Sequence, residues 1–551
     1  MSDLRSLFRE YWERVLHDDP TLATQLGDRR FENRLTDCSE ETRAEKLDFE
    51  ESCLRRAREI DPETLSECDR IEREIFIELI DTGIRSEELE THLIPMTQLF
   101  GPHLDLLQLA TIHPTEDRAG LESYVERLRA FPKQVDQIIG LMQRGIEKGM
   151  VGAKLNFAAI LEQVRAQSSP DSSPLLRPFE GREDDLDGIE TIASAAESAL
   201  SEAVAPAYAK LAEFIEKEYL PRCRDVVGVH ALPRGEEIYG RLTVRCTTTE
   251  LSPDEIHKIG LDEVDRIQSE MARVIDQVGC TGGLKAFTEH LRGRPELHFE
   301  SADAVLDGFR TVLDAVQEKL PLLFGHLPKA GFEVWPIEDY RAANAPDAYY
   351  MPPAGERAGV FYANTYRPRS RPRYTMEALA YHEAVPGHHL QIAVAQEIEG
   401  LPEFRKHGVF PAYAEGWALY SERLPREIGF YQDPYSEFGR LTMEIWRAAR
   451  LVVDTGIHDK GWTHEQAVEF LLSETALSRH NVVAEVDRYI CMPAQALAYK
   501  IGELRISEIR RRAEAATTDF DLRGFHDRLL ALGGAPLDLL ESWMEQWIDG
   551  G

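Results

Sequence analysis

Basic residues are scarce in this chain: 63 Lys and Arg stand against 97 Asp and Glu in 551 residues, a formal net charge of −34. A surface that grips a phosphate backbone or anionic lipid needs clustered Lys and Arg, so the composition argues against nucleic acid and membrane as partners. Taken alone, the acidic excess describes a soluble, self-repelling surface. No window approaches the run of about 18 apolar residues that a membrane-spanning helix requires. The seven cysteines (Cys38, Cys53, Cys68, Cys223, Cys246, Cys280, Cys491) include no CxxC pair, and an odd, dispersed count reads as reduced thiols. The opening segment MSDLRSLFREYWERVLHDDP lacks an apolar leader core and a small-residue cleavage site, so a cytoplasmic protein is expected. Neither a GxSxG elbow nor a P-loop nor a dinucleotide-type GxGxxG occurs in a sensible context, and no tandem repeat is present.

What the chain has is enough apolar residue to fold and a strong helical period. At 43% hydrophobic and 29% charged it is composed like a globular protein with a sizeable core. Apolar residues recur at three- and four-residue spacing over 118–149 and 189–218, with charges between them. Two helix starts carry caps: Ser252 ahead of Pro253-Asp254-Glu255, and Thr463 with Gln466 at the third helical position. Strand-like stretches are few, at 240–247 (GRLTVRCT), 331–336 (GFEVWP) and 357–366 (RAGVFYANTY). The Ser/Pro/Asp/Gly-rich stretch 166–188 reads as an exposed connection. The predicted class is mainly α with a small β-sheet (α+β), with a helical lobe over 1–235 and a catalytic lobe over 236–551 in which a short sheet precedes long helices.

Chemistry concentrates in Tyr381-His382-Glu383-Ala384-Val385-Pro386-Gly387-His388-His389. Two imidazoles can bind a zinc ion while a carboxylate beside the first takes a proton from the bound water. In the usual zinc-peptidase helix the two histidines are four residues apart, about 40° round the helix. Here the second histidine comes six or seven residues on. Six residues of straight helix turn it to about 240°, on the wrong face, and seven carry it about 10 Å along, too far for one ion. Pro386-Gly387 removes the difficulty, because proline drops a helix hydrogen bond and glycine accepts unusual dihedrals, so the helix can bulge and resume. His388, directly after the glycine, is preferred over His389 as the second ligand. A third ligand is needed, and Glu415 in PAYAEGWALYSE is the candidate, with Glu422 as the alternative.

HExxPGHH followed by a short EGW helix resembles the bacterial family called domain of unknown function 885. Further blocks, from FREYWERVLHDDPTLATQLGD through GVFYANTY and RLVVDTGIHDKGWT to RYICMPAQALAYKIG, extend the resemblance over nearly the whole chain. Members of that family are similar to the glutamate-ligand zinc peptidases of the thermolysin and neurolysin type. The resemblance implies a two-lobed, neurolysin- or carboxypeptidase-like architecture around a cleft. It also implies Zn2+ held by His382, His388 and Glu415, with Glu383 as general base.

Zinc peptidases of this type hold substrate as an added strand along a sheet edge, which makes 359–365 the expected edge, with Tyr362 and Asn364 on the substrate. Tyr499 and Tyr489 are candidates for the group that faces the developing oxyanion. Arg488 is a candidate for gripping a substrate carboxylate, with Gln495 as a neighbouring substrate contact. Asp454 and His458, and His389 beside the metal motif, are candidates to hold a metal-bound imidazole in place. The expected activity is zinc-dependent hydrolysis of short peptides, of oligopeptidase or carboxypeptidase type. The expected partner is a short peptide, with no nucleic acid and no membrane, and a homo-oligomer stays open. The alternatives are a metal-dependent hydrolase of non-peptide amides or esters, and a non-catalytic, metal-stabilised binding protein.

Overall fold

The computed structural model describes residues 3–169, 173–180, 188–338, 342, 345–354, 357–408 and 410–550. The chain forms two compact units, Met1–Ile238 and Tyr239–Gly551. Among the described residues no helix is long and apolar enough to cross a membrane.

The first unit is helical. Its longest element, α1 (Arg118–Lys148), starts where Asp117 accepts from the Gly120 amide and stops at Gly149, whose φ of 73° is left-handed. Leu121, Tyr124, Leu128, Phe131, Val135, Ile138 and Met142 recur every three or four residues and form its buried face. The stretch 189–218 is helical as its period predicts. It widens into π turns at Leu200–Val204 and Ile215–Tyr219, each just ahead of a proline, Pro206 and Pro221. A proline cannot donate to the ladder, and a wider turn lets the neighbouring carbonyls find the next amide. The exposed connection expected at 166–188 lies partly outside the described residues, and Pro174–Phe179 within it forms a 3-10 helix.

The strand expected at 240–247 is instead the end of a helix, α2 (Gly235–Thr247). Its Thr and Val residues favour a strand locally, yet Tyr239, Thr243 and Thr247 are buried at a spacing of four, so packing along one helical face overrides that preference. α3 (Pro253–Gln277) opens on a complete capping box between Ser252 and Glu255, and the helix His464–Glu474 opens on the equivalent box of Thr463 and Gln466.

The sheet of the second unit has three strands, β1 (Phe332–Pro336), β2 (Ala348–Met351) and β3 (Gly359–Ala363), in the order β1-β3-β2. β1 runs parallel to β3, with Phe332 opposite Gly359, and β2 runs antiparallel to it, with Ala348 opposite Ala363. β3 is therefore the central strand, with all five residues buried, and not the edge expected for docking a substrate. The stretch AYYM that forms β2 is too short to show a period, and with β1 on the other side it leaves β3 no free edge.

The helices that follow include α4 (Met376–Glu383), α5 (His388–Glu397), α6 (Pro411–Arg423), α7 (Pro434–His458), α8 (Arg479–Cys491) and α9 (Ala498–Ala516). α7 is buried nearly all round. α3 lies against it at Gly260, where a Cβ would come 2.8 Å from both Leu451 and Val452 side chains. α6 and α9 meet through bare backbone: a Cβ on Gly416 would lie 2.5 Å from Gly502 Cα, and one on Gly502 would lie 1.9 Å from the Ala412 carbonyl oxygen.

That contact predicts the cost of a single methyl group. Gly502→Ala should destabilise the second unit by about 1–3 kcal/mol, because backbone cannot move aside as a side chain can. Gly140→Ala, in α1 with nothing within 4 Å of the added carbon, should instead be neutral or stabilise by up to about 1 kcal/mol. Denaturant midpoints at unchanged slope measure both.

Candidate metal centre

α4 ends at Glu383, and it does not bulge and resume as one helix. Ala384 leaves helical geometry at φ −106°, ψ −102°, the Val385–Pro386 bond is cis, and a separate helix, α5, starts at His388. The link is possible because Gly387 has no side chain: a Cβ there would lie 1.9 Å from the His382 carbonyl oxygen and 2.3 Å from that of Tyr381. Trp417 of α6 fixes the link by donating from Nε1 to the Pro386 carbonyl at 3.0 Å.

The fold-back sets three ligand-type side chains face to face. His382 Nε2 lies 3.7 Å and His388 Nε2 3.4 Å from Glu415 Oε2, and one ligand atom from each residue lies within 4.8 Å of the other two. Two ligands on one tetrahedral zinc ion are about 3.3 Å apart, so the set needs little movement to close on a metal. Glu415 Oε2 is buried and accepts from no protein donor, as suits an oxygen reserved for a cation. Burial opposes charge on Glu415, but the two imidazoles outweigh it and hold the carboxyl well below its usual range. His389 takes no part. It turns away to Tyr350 Oη at 2.7 Å and the Ala330 carbonyl at 3.1 Å, so it neither binds at this centre nor steadies an imidazole there.

Glu422 is two turns along α6 from Glu415, on the same face. Its Oε1 lies 2.8 Å from His382 Nδ1 and 3.3 Å from Arg447 Nη2, so this carboxylate serves the far nitrogen of His382 and is not the third ligand. Burial pushes the His382 imidazole down, but Glu415 and Glu422 together hold it up at about 9. Glu383, between the two histidines in sequence, is held above the usual carboxylate range by burial, partly offset by His382 and His388. That shift suits a proton acceptor working near neutral pH.

Other expected roles fail on hydrogen bonding. Asp454 is remote from the imidazoles: its Oδ1 accepts from Tyr239 Oη at 2.7 Å and the Ala494 amide at 3.0 Å, and His458 Nε2 contacts the Tyr489 carbonyl. Asn364 is not a substrate contact, because its Nδ2 donates to the Ala342, Ala345 and Pro346 carbonyls and its Oδ1 accepts from the Tyr366 amide. Tyr362 is buried in the sheet, stacked on Tyr349 with ring centroids 4.8 Å apart. Tyr489 is fully buried; its hydroxyl donates to Glu485 and accepts from Trp446 and Arg450, which leaves it nothing for an oxyanion.

Tyr499 is different. Its ring stacks on the His382 ring at 6.2 Å, and its oxygen accepts from Gln495 Nε2 at 3.4 Å, so its own proton is uncommitted. Arg488 pairs with Glu485 through Nε and Nη2 and donates from Nη1 to Gln495. Sequence reading missed Arg447, Arg450 and Glu485. The available signal was the spacing of α7, where Arg440, Arg447, Arg450, Asp454 and His458 fall on one face of the helix.

Asp454 generates a pH prediction. Burial pushes its carboxyl up to about 7, while in the unfolded chain it ionises near the ordinary value of about 3.9. The folded state then holds the proton more tightly, so this group's contribution is intact below pH ~4 and is lost as pH rises to ~7. The loss is at most about 4 kcal/mol. Asp454→Asn keeps the acceptor for Tyr239 and Ala494, so it should flatten stability between pH 5 and 7.5 relative to wild type, as read by chemical denaturation across that range.

Comparison with solved structures places this fold. A crystal structure from Colwellia psychrerythraea superposes with a TM-score of 0.95 at 28% identity, over 100% of this chain and 99% of that one. A solved structure from Shewanella oneidensis superposes with a TM-score of 0.75 at 18% identity, over 99% of this chain and 100% of that one, and shares the fold. Both proteins are named "putative lipoprotein", the second "of unknown function". No curated protein matches the sequence. Residues 20–544 match the family described as "Bacterial protein of unknown function (DUF885)", and the chain belongs to that family.

Proposed function

We propose that this protein is a zinc-dependent peptidase that hydrolyses short peptides. The observation that carries the reading is the convergence of His382, His388 and Glu415 on one point, with Glu383 close enough to feel the charge of all three. Imidazole–imidazole–carboxylate with room for a fourth ligand is the donor set of catalytic zinc sites. When bound, zinc supplies a Lewis acid that polarises a carbonyl and makes water acidic enough to attack it at neutral pH.

The protein's own residues supply the rest. Glu383 takes a proton from the attacking water and returns it to the departing amine. Tyr499 donates its free hydroxyl proton to the carbonyl oxygen as negative charge develops there. Glu422, braced by Arg447, holds His382 in one tautomer and orientation. The seven cysteines are free thiols, which fits the proposed cytoplasmic location.

Two variants test this reading. Glu383→Gln should keep stoichiometric zinc and lose peptide hydrolysis by roughly 10²–10⁴-fold, measured on a peptide mixture by mass spectrometry. Turnover equal to wild type sinks the mechanism, and turnover of small acyl-amides with inert peptides favours the non-peptide hydrolase. Glu422→Gln should retain the fold and weaken zinc binding by about 10–100-fold in competition with a chromophoric chelator.

A further inference from the structure

The buried face of α7 ends in a charge imbalance beside the metal centre. Arg440 pairs with Glu437 and Glu444, and Arg447 faces Glu422. Arg450, only 4% exposed, shares its partner: its Nη2 reaches Glu485 Oε2 at 3.1 Å, while Arg488 Nη2 reaches the same oxygen at 2.9 Å. Two guanidiniums therefore hold one carboxylate. The remaining groups whose fields act on Arg450 are Tyr489 and Tyr499, and burial raises both phenols so that they stay neutral. Asp454, which also feels Arg488, is pushed up to about 7 and spends its Oδ1 on Tyr239 and Ala494. Arg450 Nη1 is buried and donates to no protein acceptor.

A buried guanidinium that shares its one carboxylate and leaves a nitrogen without an acceptor has room for a further anionic partner, and the group that most directly suits it is a second carboxylate. The location says whose. Arg450 lies over the Tyr499 ring at 4.4 Å, and the His382 ring stacks on that same tyrosine at 6.2 Å. Arg488 and Gln495 are joined to each other at 2.8 Å, and Gln495 is joined to Tyr499, so the cationic pair and the candidate oxyanion donor form one connected unit. Arg488, Gln495 and Tyr499 are partly exposed and give solvent a route to it.

We infer that Arg450 and Arg488 form a carboxylate-binding subsite that holds the acidic end of the substrate next to the metal centre. The inference rests on the peptidase reading for what the carboxylate belongs to. A chain's terminal carboxylate and its last peptide bond belong to the same residue, about 4 Å apart, so an anion site one aromatic ring from the metal ligands selects the last peptide bond. An Asp or Glu side chain carries the same group and is the other source. Glu485 stays in the subsite as the counter-charge that keeps both guanidiniums aligned.

The test measures binding, separately from turnover. Zinc-loaded Glu383→Gln protein is titrated calorimetrically with three short peptides: a neutral one with a free C-terminus, the same peptide amidated, and an amidated peptide ending in Glu. The free acid should bind about 10–100-fold more tightly than its amide. Recovery of that affinity by the amidated Glu peptide assigns the subsite to a side chain, and no recovery assigns it to the terminal carboxylate. Adding Arg488→Gln should erase the acid–amide difference at unchanged unfolding midpoint and zinc content. Equal affinity for acid and amide overturns the subsite. Wild-type protein that cleaves no peptide yet keeps the acid preference removes the peptidase reading and leaves the subsite standing.

Discussion

Residue 387 has to lack a side chain for this site to exist. With a Cβ 1.9 Å from the His382 carbonyl oxygen, the chain could not turn back across the end of α4, and His388 would be carried past the metal centre. Glycine lets α4 stop and α5 start within four residues, so two histidines six apart in sequence face one carboxylate. A second bare contact completes the arrangement. Gly416 and Gly502 bring α6 and α9 to backbone distance, which sets Glu415 of α6 near Tyr499 of α9. His388, Glu415 and Tyr499 are thus placed by two close backbone approaches, which leave little freedom for drift.

The charges under the site follow from burying α7. A helix enclosed on nearly every side cannot solvate its polar residues, so each must find a partner inside. Positions 440, 447, 450, 454 and 458 fall within about a third of the helix circumference, at 100° per residue. The three arginines meet carboxylates from α6 and α8 and from α7 itself, while Asp454 accepts from Tyr239 and Ala494 and His458 contacts the Tyr489 carbonyl. Lys500, also fully buried, is held among Glu263, Glu444 and Glu503. The chain is strongly acidic as a whole, yet the face turned toward the site is set by arginines. Net charge describes the solvated surface and says little about a buried helix.

The convergence of His382, His388 and Glu415 was legible because metal-binding chemistry would need particular residue types at close spacing, and HExxPGHH with a following EGW supplies them. Helical class and both capping boxes were legible for the same reason: each is a local pattern with a local cause. What failed depended on distant partners. Asn364 looked available beside a strand, but three carbonyls from the preceding loop consume its amide. β3 looked like an edge, but the four-residue β2 covers it. Tyr489 and Tyr499 are the same residue type ten positions apart, and only the fold shows that one hydroxyl is spent on Glu485 while the other keeps its proton.

Unpartnered buried polar atoms occur at several places in the second unit, among them Tyr413 Oη and Asp454 Oδ2, and others lie at or beside the candidate site. Glu415 Oε2, Arg447 Nε and Arg450 Nη1 all belong to the metal centre or to the residues braced against it. Each such atom costs about 1–3 kcal/mol when no group answers it, against a total stability for a folded domain of about 5–15 kcal/mol. Apolar replacements of similar volume would be cheaper at every one of them. On the proposed reading, an ion and an anionic group would supply the compensation that the protein itself does not provide at these atoms.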